Sequence, residues 1–428
     1  ASAERKPWEK MVNKTILANG IRVVSEEINH VRSVSIGVWV YCGSRHENRA
    51  NNGIAHFIEH MLFKGTKKRS PLEIAAAIDA VGGVINASTG KESTAFYVKV
   101  PDYYLDLAIE LLADILKNSC FQSAEIEREK SVIHQEIRSL EDSPDENVHD
   151  LFEAQLWNGH PLARPIMGTR DSVAALNRQR IVRFFIRNYR GRNLVISVAG
   201  KMQHEQLLDL VSRHFESLDG MGDTFKDVPP VPSAVMSTVY KDLEQVHLVL
   251  GCPAPSSTDP RRYASFLMNA FLGGSMSSRL FQEVREKRGL VYDIQSYLNS
   301  YLDTGMLGIY AGTGAGEIRQ VIRLVRKEIK RLCDHSLNDK ELRDAKEMIK
   351  GNFLLSMEST DNRMTRLAKN EFCFGRQILW DEVMERIEGV SQQDIGNLAG
   401  EMFAPEKLSM VAIGRVDPGI TEEMRSPG

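Results

Sequence analysis

Apolar residues in the segment 51–66, NNGIAHFIEHMLFKGT, recur with the period of an α-helix. On a helix that turns about 100° per residue, one face of this segment is apolar and carries Ile54, Phe57, Ile58, Met61 and Leu62. The opposite face carries His56, Glu59, His60 and Phe63. Asn51 and Asn52 are suitable N-cap residues and Gly65 is a natural stop, so the pattern predicts an amphipathic helix whose apolar side packs in a core.

The segment 122–142, QSAEIEREKSVIHQEIRSLED, predicts a second, longer and highly charged helix. Its apolar stripe consists of Ile126, Val132, Ile133 and Leu140. Glu129 and Glu136 are seven residues apart, which places them within about 20° of each other and inside that stripe. Because an isolated ionised carboxylate is costly to bury, the pair needs a cation. Either a metal ion or an ion pair with a buried Arg or Lys meets that need, and a metal would account for both acids at once.

Similar patterns in the two halves of the chain predict an internal repeat. The segment 181–200, IVRFFIRNYRGRNLVISVAG, aligns with 395–414, IGNLAGEMFAPEKLSMVAIG, at an offset of 214 residues, and each ends in an apolar strand closed by Gly. The segments 34–44 and 246–256 both have the pattern of core strands. Between the halves, 216–236 is rich in Gly, Pro and acidic residues, which is typical of a linker. We therefore expect tandem domains at 1–215 and 237–428.

Amphipathic helices lie between the predicted strands, for example at 102–117 and 316–333. Short strands interspersed with such helices indicate an α+β fold. We expect each half to be a mostly antiparallel sheet covered by α-helices.

Composition and charge narrow the choice of partners. The chain has 428 residues, a net charge of −3 and no basic cluster, which argues against nucleic acid as a partner. No apolar run is long enough to span a membrane, so we expect no membrane partner. The five cysteines are scattered and odd in number, which is typical of reduced thiols in a cytosol-like compartment.

The polar face of the first helix has the chemistry of a metal site. His56 and His60 are one turn apart, which brings two imidazole nitrogens within reach of one ion. Glu59 points in a slightly different direction, which suits a base that acts on a metal-bound water. The order His-x-x-Glu-His is the inverzincin motif. A catalytic zinc site needs a third protein ligand, and the acids of the second helix are the candidates.

These motifs together resemble a known enzyme family. HFIEH, followed 76 residues after its last His by the Glu of SVIHQEIRSLED, resembles the pitrilysin (insulinase-type) zinc peptidases. The similarity is greatest to the branch that contains the mitochondrial processing peptidase β subunit and its bacterial relatives. NASTGKESTAFYVKV (86–100) resembles the edge strand of the family, and GHPLARPIMG (159–168) resembles a segment that follows the third ligand.

The resemblance implies a role for each residue of the metal site. His56, His60 and Glu136 would be the ligands of one Zn²⁺ per chain. Glu59 would be the general base, and Glu129 would be a supporting acid that contacts the ligands without binding the metal itself.

Further residues would bind the substrate. By the same resemblance, Asn86 and Ala87 would pair with the substrate backbone. Arg285 and Tyr292, seven residues apart in the second half, would contact the peptide and its transition state. A Tyr hydroxyl at the developing oxyanion would stabilise the tetrahedral intermediate.

We therefore expect a zinc metalloendopeptidase that hydrolyses unfolded or extended peptides by Glu-assisted attack of zinc-bound water. The first half would hold the zinc site, and the second half would contribute substrate binding. The resemblance further implies that the two halves enclose a cleft or chamber. The resemblance also implies a dimer, either of two different subunits or of two copies, and because this chain holds a complete ligand set we expect a homodimer. The expected compartment is the cytoplasm of a bacterial-type cell, with the mitochondrial matrix as the other candidate.

Two other functions stay open at this stage. One is a non-catalytic peptide-binding or structural subunit of a processing-peptidase-like complex, which the intact His-x-x-Glu-His motif argues against. The other is a zinc hydrolase that acts on something other than peptides. The chain has neither a deaminase Cys pair nor a phosphate-binding loop that would favour it.

Overall fold

The computed structural model describes residues 12–220, 225–335 and 337–425, so residues 221–224 of the predicted linker lie outside the described residues. The strands are β1 (Val12–Ile16), β2 (Arg22–Glu27), β3 (Ser33–Val40), β4 (Val84–Thr89), β5 (Thr94–Pro101), β6 (Leu194–Gly200), β7 (Met236–Tyr240), β8 (Gln245–Ala254), β9 (Val291–Ser300), β10 (Gly305–Gly314) and β11 (Ser409–Gly414).

The helices of the first half of the sequence are α1 (Ile54–Leu62), α2 (Pro71–Asp79), α3 (Leu105–Asn118), α4 (Ser123–Asp142), α5 (Pro144–Leu156), α6 (Arg170–Ala174), α7 (Arg178–Asn188) and α8 (His204–Phe215). Those of the second half are α9 (Arg262–Leu272), α10 (Ile318–His335), α11 (Asp339–Ser356), α12 (Thr360–Phe374), α13 (Trp380–Glu388), α14 (Gln392–Met402) and α15 (Ile420–Arg425). Each α-helix of the described residues is too short or too polar to cross a membrane.

The chain divides into two compact units. The first consists of the described residues of Ala1–Ile137, Arg164–Lys226 and Leu355–Leu379, and the second of the described residues of Arg138–Ala163, Asp227–Leu354 and Trp380–Gly428. Each unit thus includes a helix from the other half of the sequence, α12 in the first unit and α5 in the second. The predicted division at 1–215, 216–236 and 237–428 follows the repeat along the sequence and stays a prediction.

Among the described residues the two units have similar sheets, except that the first sheet has six strands and the second has five, because β1 at the edge of the first has no counterpart in the second. The first sheet has the order β1-β2-β6-β3-β5-β4, and the second has the order β7-β11-β8-β10-β9. In each sheet one pair is parallel, β2 with β6 and β7 with β11, and the other pairs are antiparallel. The α+β fold with two similar halves is confirmed. The enclosed chamber stays a prediction.

Helices cover both faces of the first sheet. In β3, Val34, Ile36 and Val38 point into a core that they share with α1 and α3. On the other face, Trp39 packs against α12. At this crossing a Cβ on Gly37 would lie 2.6 Å from Trp39 Nε1 and 2.8 Å from the Met364 sulfur, so these side chains would have to shift. The absence of a side chain at Gly37 therefore favours the close approach of α12.

The predicted helices are present, and some details differ. The helix predicted from 122–142 is α4, and its Ile126 and Ile133 are buried as expected. Val132 is 41% exposed, so its place in the buried stripe was wrong. The segment 86–100 is not one edge strand, because it turns at Gly90 and continues as β5 between β4 and β3. Only β4 lies at the edge.

Candidate metal centre

The helix α1 packs as its sequence predicts. Its apolar side is fully buried and consists of Ile54, Phe57, Ile58, Met61 and Leu62. His56, Glu59 and His60 lie on the other side and are partly exposed. The core contacts of the apolar side therefore fix the direction in which the polar side points.

The N-terminus of α1 is capped differently from the prediction. The N-cap is Gly53, which has a φ of 91°, so the assignment of Asn51 or Asn52 as the N-cap was wrong. The Glu47 carboxylate accepts hydrogen bonds from the backbone N–H groups of Gly53 and Ala55, both at 2.8 Å. Asn52 donates from its side chain to the same carboxylate at 2.9 Å. No local pattern indicates Glu47, because it reaches the helix from a preceding loop.

The structure brings the three predicted zinc ligands together. The Nε2 atoms of His56 and His60 are 3.2 Å apart, and Glu136 Oε2 lies 4.0 Å from the former and 3.8 Å from the latter. Zinc bonds of about 2.1 Å in a tetrahedron separate ligand atoms by about 3.4 Å. The three residues form the only such group of His, Cys, Asp and Glu among the described residues. The spacing therefore fits a zinc ion.

The donor atoms themselves also fit a cation. Glu136 Oε2 is buried and has no hydrogen-bond partner. Nδ1 of His60 lies 2.8 Å from Oε1 of Glu129, and when the neutral ring donates its proton there, the lone pair of Nε2 faces His56. Lone pairs and a carboxylate oxygen at this separation repel one another unless a cation or a proton lies between them.

Glu129 contacts both a predicted zinc ligand, His60, and a basic residue, Lys64. Its surroundings therefore include features of both interpretations considered from the sequence, a metal site and an ion pair. It is 2% exposed, and its Oε1 accepts from His60 Nδ1 at 2.8 Å. Its Oε2 lies 2.8 Å from Lys64 Nζ, which is the ion pair considered as the alternative to a metal role. Burial alone would raise the pKa of Glu129, but the hydrogen bonds from His60 and Lys64 hold it below its usual value.

Glu59 is held by a residue that the sequence did not indicate. Thr89, the last residue of β4, donates its hydroxyl to Glu59 Oε2 at 2.5 Å. Burial raises the pKa of Glu59, an effect that the Thr89 hydrogen bond and the charge of His60 partly offset. A carboxylate with a raised pKa accepts and releases a proton more readily near neutral pH.

The two histidines are in different electrostatic surroundings. Burial, together with the charge of His60, lowers the pKa of His56 to about 4, so this imidazole is neutral at pH 7. Burial also acts to lower the pKa of His60, but the hydrogen bond to Glu129 and the charge of Glu136 raise it above its ordinary value. A metal would therefore compete with a proton mainly at His60.

The predicted substrate-binding residues of the first unit lie on β4. Asn86 and Ala87 are in the middle of this strand, which pairs with β5 on one side. Among the described residues no strand pairs with its other side. An edge strand of this kind can add an extended peptide by backbone hydrogen bonds.

Arg285 and Tyr292 belong to the second unit and lie close to each other. Arg285 is in a π-helical turn, Phe281–Glu286, and its guanidinium carbon is 5.7 Å from the centre of the Tyr292 ring. Tyr292 is at the start of β9 and is 77% exposed. The nearby Arg279 is mostly buried and paired with Glu341 at 3.2 Å. The roles of Arg285 and Tyr292 stay a prediction.

The family comparisons agree with the motifs. Residues 22–170 match the family described as Insulinase (Peptidase family M16), and residues 175–349 match the Peptidase M16 inactive domain. A protein of Streptomyces coelicolor named as an uncharacterized zinc protease is 40% identical over 412 residues, covering 94% of this chain and 89% of that protein. An uncharacterized zinc protease of Bacillus subtilis is 40% identical over 396 residues, covering 92% and 97%.

Solved structures share the fold. A protease from Helicobacter pylori aligns with a TM-score of 0.86 at 24% identity, covering 94% of this chain and 99% of that one. A peptidase M16 inactive domain from Pseudomonas fluorescens aligns with a TM-score of 0.89 at 21% identity, covering 94% and 97%. The predicted link to the processing-peptidase branch stays a prediction.

Proposed function

Because the chain belongs to the insulinase family of M16 peptidases, we propose that it is a zinc metalloendopeptidase that acts on unfolded or extended peptides. The observation that carries the proposal is the convergence of His56, His60 and Glu136, with Glu59 on the same helix face. His56, His60 and Glu136 hold one zinc ion per chain in this proposal. Zinc, when bound, polarises the scissile carbonyl and lowers the pKa of a bound water.

Glu59 is the proposed general base. Its carboxylate takes a proton from the attacking water and then gives it to the leaving amine. The hydrogen bond from Thr89 occupies Oε2 of this carboxylate, which leaves Oε1 for proton transfer. Glu129 stays ionised between His60 and Lys64, and it keeps the His60 ring in one orientation.

The peptide binds as an added strand beside Asn86 and Ala87 in this proposal. Backbone pairing of this kind requires an extended substrate and places few demands on its side chains. Arg285 and Tyr292 orient the peptide, and the Tyr292 hydroxyl donates to the oxyanion of the tetrahedral intermediate. The exposed position of Tyr292 supports this role, since its ring is not needed in a core.

We further propose that the enzyme is a homodimer. The complete ligand set within one chain favours two identical subunits over two different ones, because no second type of subunit is needed to supply a ligand. Light scattering on the purified protein tests it, and a monomeric mass under assay conditions would contradict it.

Metal analysis combined with peptide cleavage tests the proposed function. The wild type should contain about one zinc per chain and cleave an unfolded peptide mixture in a manner that chelators abolish. His60→Ala should lose the zinc. Glu59→Gln should keep it and lose activity by roughly 10²–10⁴-fold.

Each result distinguishes a different explanation. Full zinc content in His60→Ala would contradict the ligand assignment. A wild type that binds zinc and peptide but cleaves nothing would favour the non-catalytic subunit instead.

A further inference from the structure

Lys64 lies just beyond the C-terminus of α1, and the sequence pattern gave it no role. Its Nζ is 2.8 Å from Oε2 of Glu129, and the other oxygen of that carboxylate is 2.8 Å from Nδ1 of His60. Lys64, Glu129 and His60 therefore form one continuous chain of charged hydrogen bonds, which ends where His56 and Glu136 converge.

We propose that Lys64 is a positioning residue of the metal centre, which acts through Glu129 to hold the His60 ring with its Nε2 lone pair towards the metal position. The proposal rests on the proposed function, since it takes His60 as a zinc ligand. Lys64 itself touches neither metal nor substrate in this scheme.

The geometry of Glu129 explains why a second partner matters. The side chain is nearly fully buried, and each of its two oxygens has its own partner. Two partners on opposite oxygens prevent the carboxylate from rotating about its last torsion angle. A bond to His60 alone would leave that rotation free and would leave a buried negative charge without a permanent positive one. Among the described residues, Lys64 is the only Lys or Arg within ion-pair distance of Glu129.

The backbone around Lys64 is built to keep the ammonium group in place. The chain turns at Gly65, whose φ is 107°. Thr66 then donates its hydroxyl to Asp114 at 2.8 Å, and the Lys67 N–H donates to the Asn118 carbonyl at 3.0 Å. The Cys120 N–H donates back to the Gly65 carbonyl at 3.2 Å. These contacts attach the segment to the C-terminal part of α3 and to the connection between α3 and α4, and α4 carries Glu129.

Zinc affinity, measured by competition with a chelating dye, tests the proposal directly. Lys64→Met removes the charge and keeps the length of the side chain, and it should weaken zinc binding by about 10-fold. Lys64→Arg keeps a charged donor and should recover most of the affinity. Lys67→Met is the matched control, because Lys67 is exposed on the same segment. The zinc affinity of Lys67→Met should equal that of the wild type.

A double-mutant cycle tests the route through Glu129. Glu129→Gln alone should weaken zinc binding by roughly 10- to 100-fold. Adding Lys64→Met to Glu129→Gln should cause little further loss, because the group through which Lys64 acts has already been changed. If the losses of zinc-binding free energy of the two single variants simply add in the double variant, the proposal is overturned.

The melting temperature of the zinc-free proteins separates positioning from a purely structural role. Lower stability of zinc-free Lys64→Met with unchanged zinc affinity would overturn the proposal. If Lys64→Met does not fold, Lys64→Gln takes its place in every measurement, with the same outcomes. Failure of the wild type to bind zinc would instead refute the proposed function, so the two failures are distinguishable.

Discussion

Glu47 is an acidic residue buried at the start of α1. It is 5% exposed, and its carboxylate accepts the orphan N–H groups at the start of α1. Burial raises its pKa to about 7, although hydrogen bonds from Ala55 and Asn52 act in the opposite direction. The helix that carries the candidate metal ligands therefore begins on an acid that titrates near neutrality.

This shift predicts how stability depends on pH. An acid with a raised folded-state pKa binds its proton more tightly in the folded protein, so the proton adds to the free energy of unfolding, and this contribution is fully present below about pH 4. The contribution, at most about 3 kcal/mol, is lost as the pH rises through the folded-state pKa. Glu47→Gln cannot ionise. As the pH rises from about 5 to 7, the melting temperature of the zinc-free wild type should therefore fall relative to that of zinc-free Glu47→Gln.

Thermal unfolding of both zinc-free proteins over this pH range provides the measurement. Groups common to both proteins cancel in the difference. Two melting curves that shift in parallel with pH would show that Glu47 has an ordinary pKa in the folded protein.

At the scale of elements, β4 connects the proposed peptide site with the proposed base. Asn86 and Ala87 lie in the strand, and Thr89 at its end holds Glu59. The edge strand and the base are therefore linked by one hydrogen bond. An extended peptide that pairs with β4 would meet a carboxylate that is already oriented.

Thr89→Val should lower kcat by about 10- to 100-fold, because Glu59 loses the hydroxyl that orients it, and small misplacements of a catalytic group are costly. The KM and the zinc content should change little. Thr89→Ser keeps the hydroxyl and should restore most of the activity. Steady-state kinetics and metal analysis on both variants provide the check, and equal activity of Val and Ser variants would contradict the role of the hydrogen bond.

At the scale of the whole molecule, the proposed contribution of the second unit to catalysis can be tested by removing a single hydroxyl group, that of Tyr292. Tyr292→Phe should lower kcat by about 10²–10³-fold if Tyr292 is the oxyanion donor. Its ring is exposed, so the melting temperature should not change. Zinc content should also equal that of the wild type, since Tyr292 is in the other unit. A wild-type kcat would remove Tyr292 from the chemistry.

The composition of the first unit also predicts how a truncated protein would behave. The segment 1–226 lacks α12, which covers one face of the first sheet with Met364, Leu367 and Ala368. Without it, Trp39 and its apolar neighbours would be exposed to water. We therefore expect the isolated segment to unfold without cooperativity or to aggregate, as judged by calorimetry. A sharp unfolding transition for 1–226 would contradict the importance of α12.

The sequence by itself determined the local features of the site. His56, Glu59 and His60 belong to one helix, so their common face follows from the helical period alone. The same period placed Glu129 and Glu136 on one side of α4 and marked them as unusual within an apolar stripe. The alternation of apolar segments and the repeated halves predicted the α+β fold. All of these depend on backbone geometry, which neighbouring residues determine.

Only the tertiary structure decided which distant groups meet. Nothing in the local pattern pairs Lys64 with Glu129, Thr89 with Glu59 or Glu47 with the start of α1, because each contact joins separate segments. The prediction that Val132 is buried was wrong for a related reason. Helical periodicity shows which residues share a face, whereas the width of the face that is buried depends on the elements that pack against it.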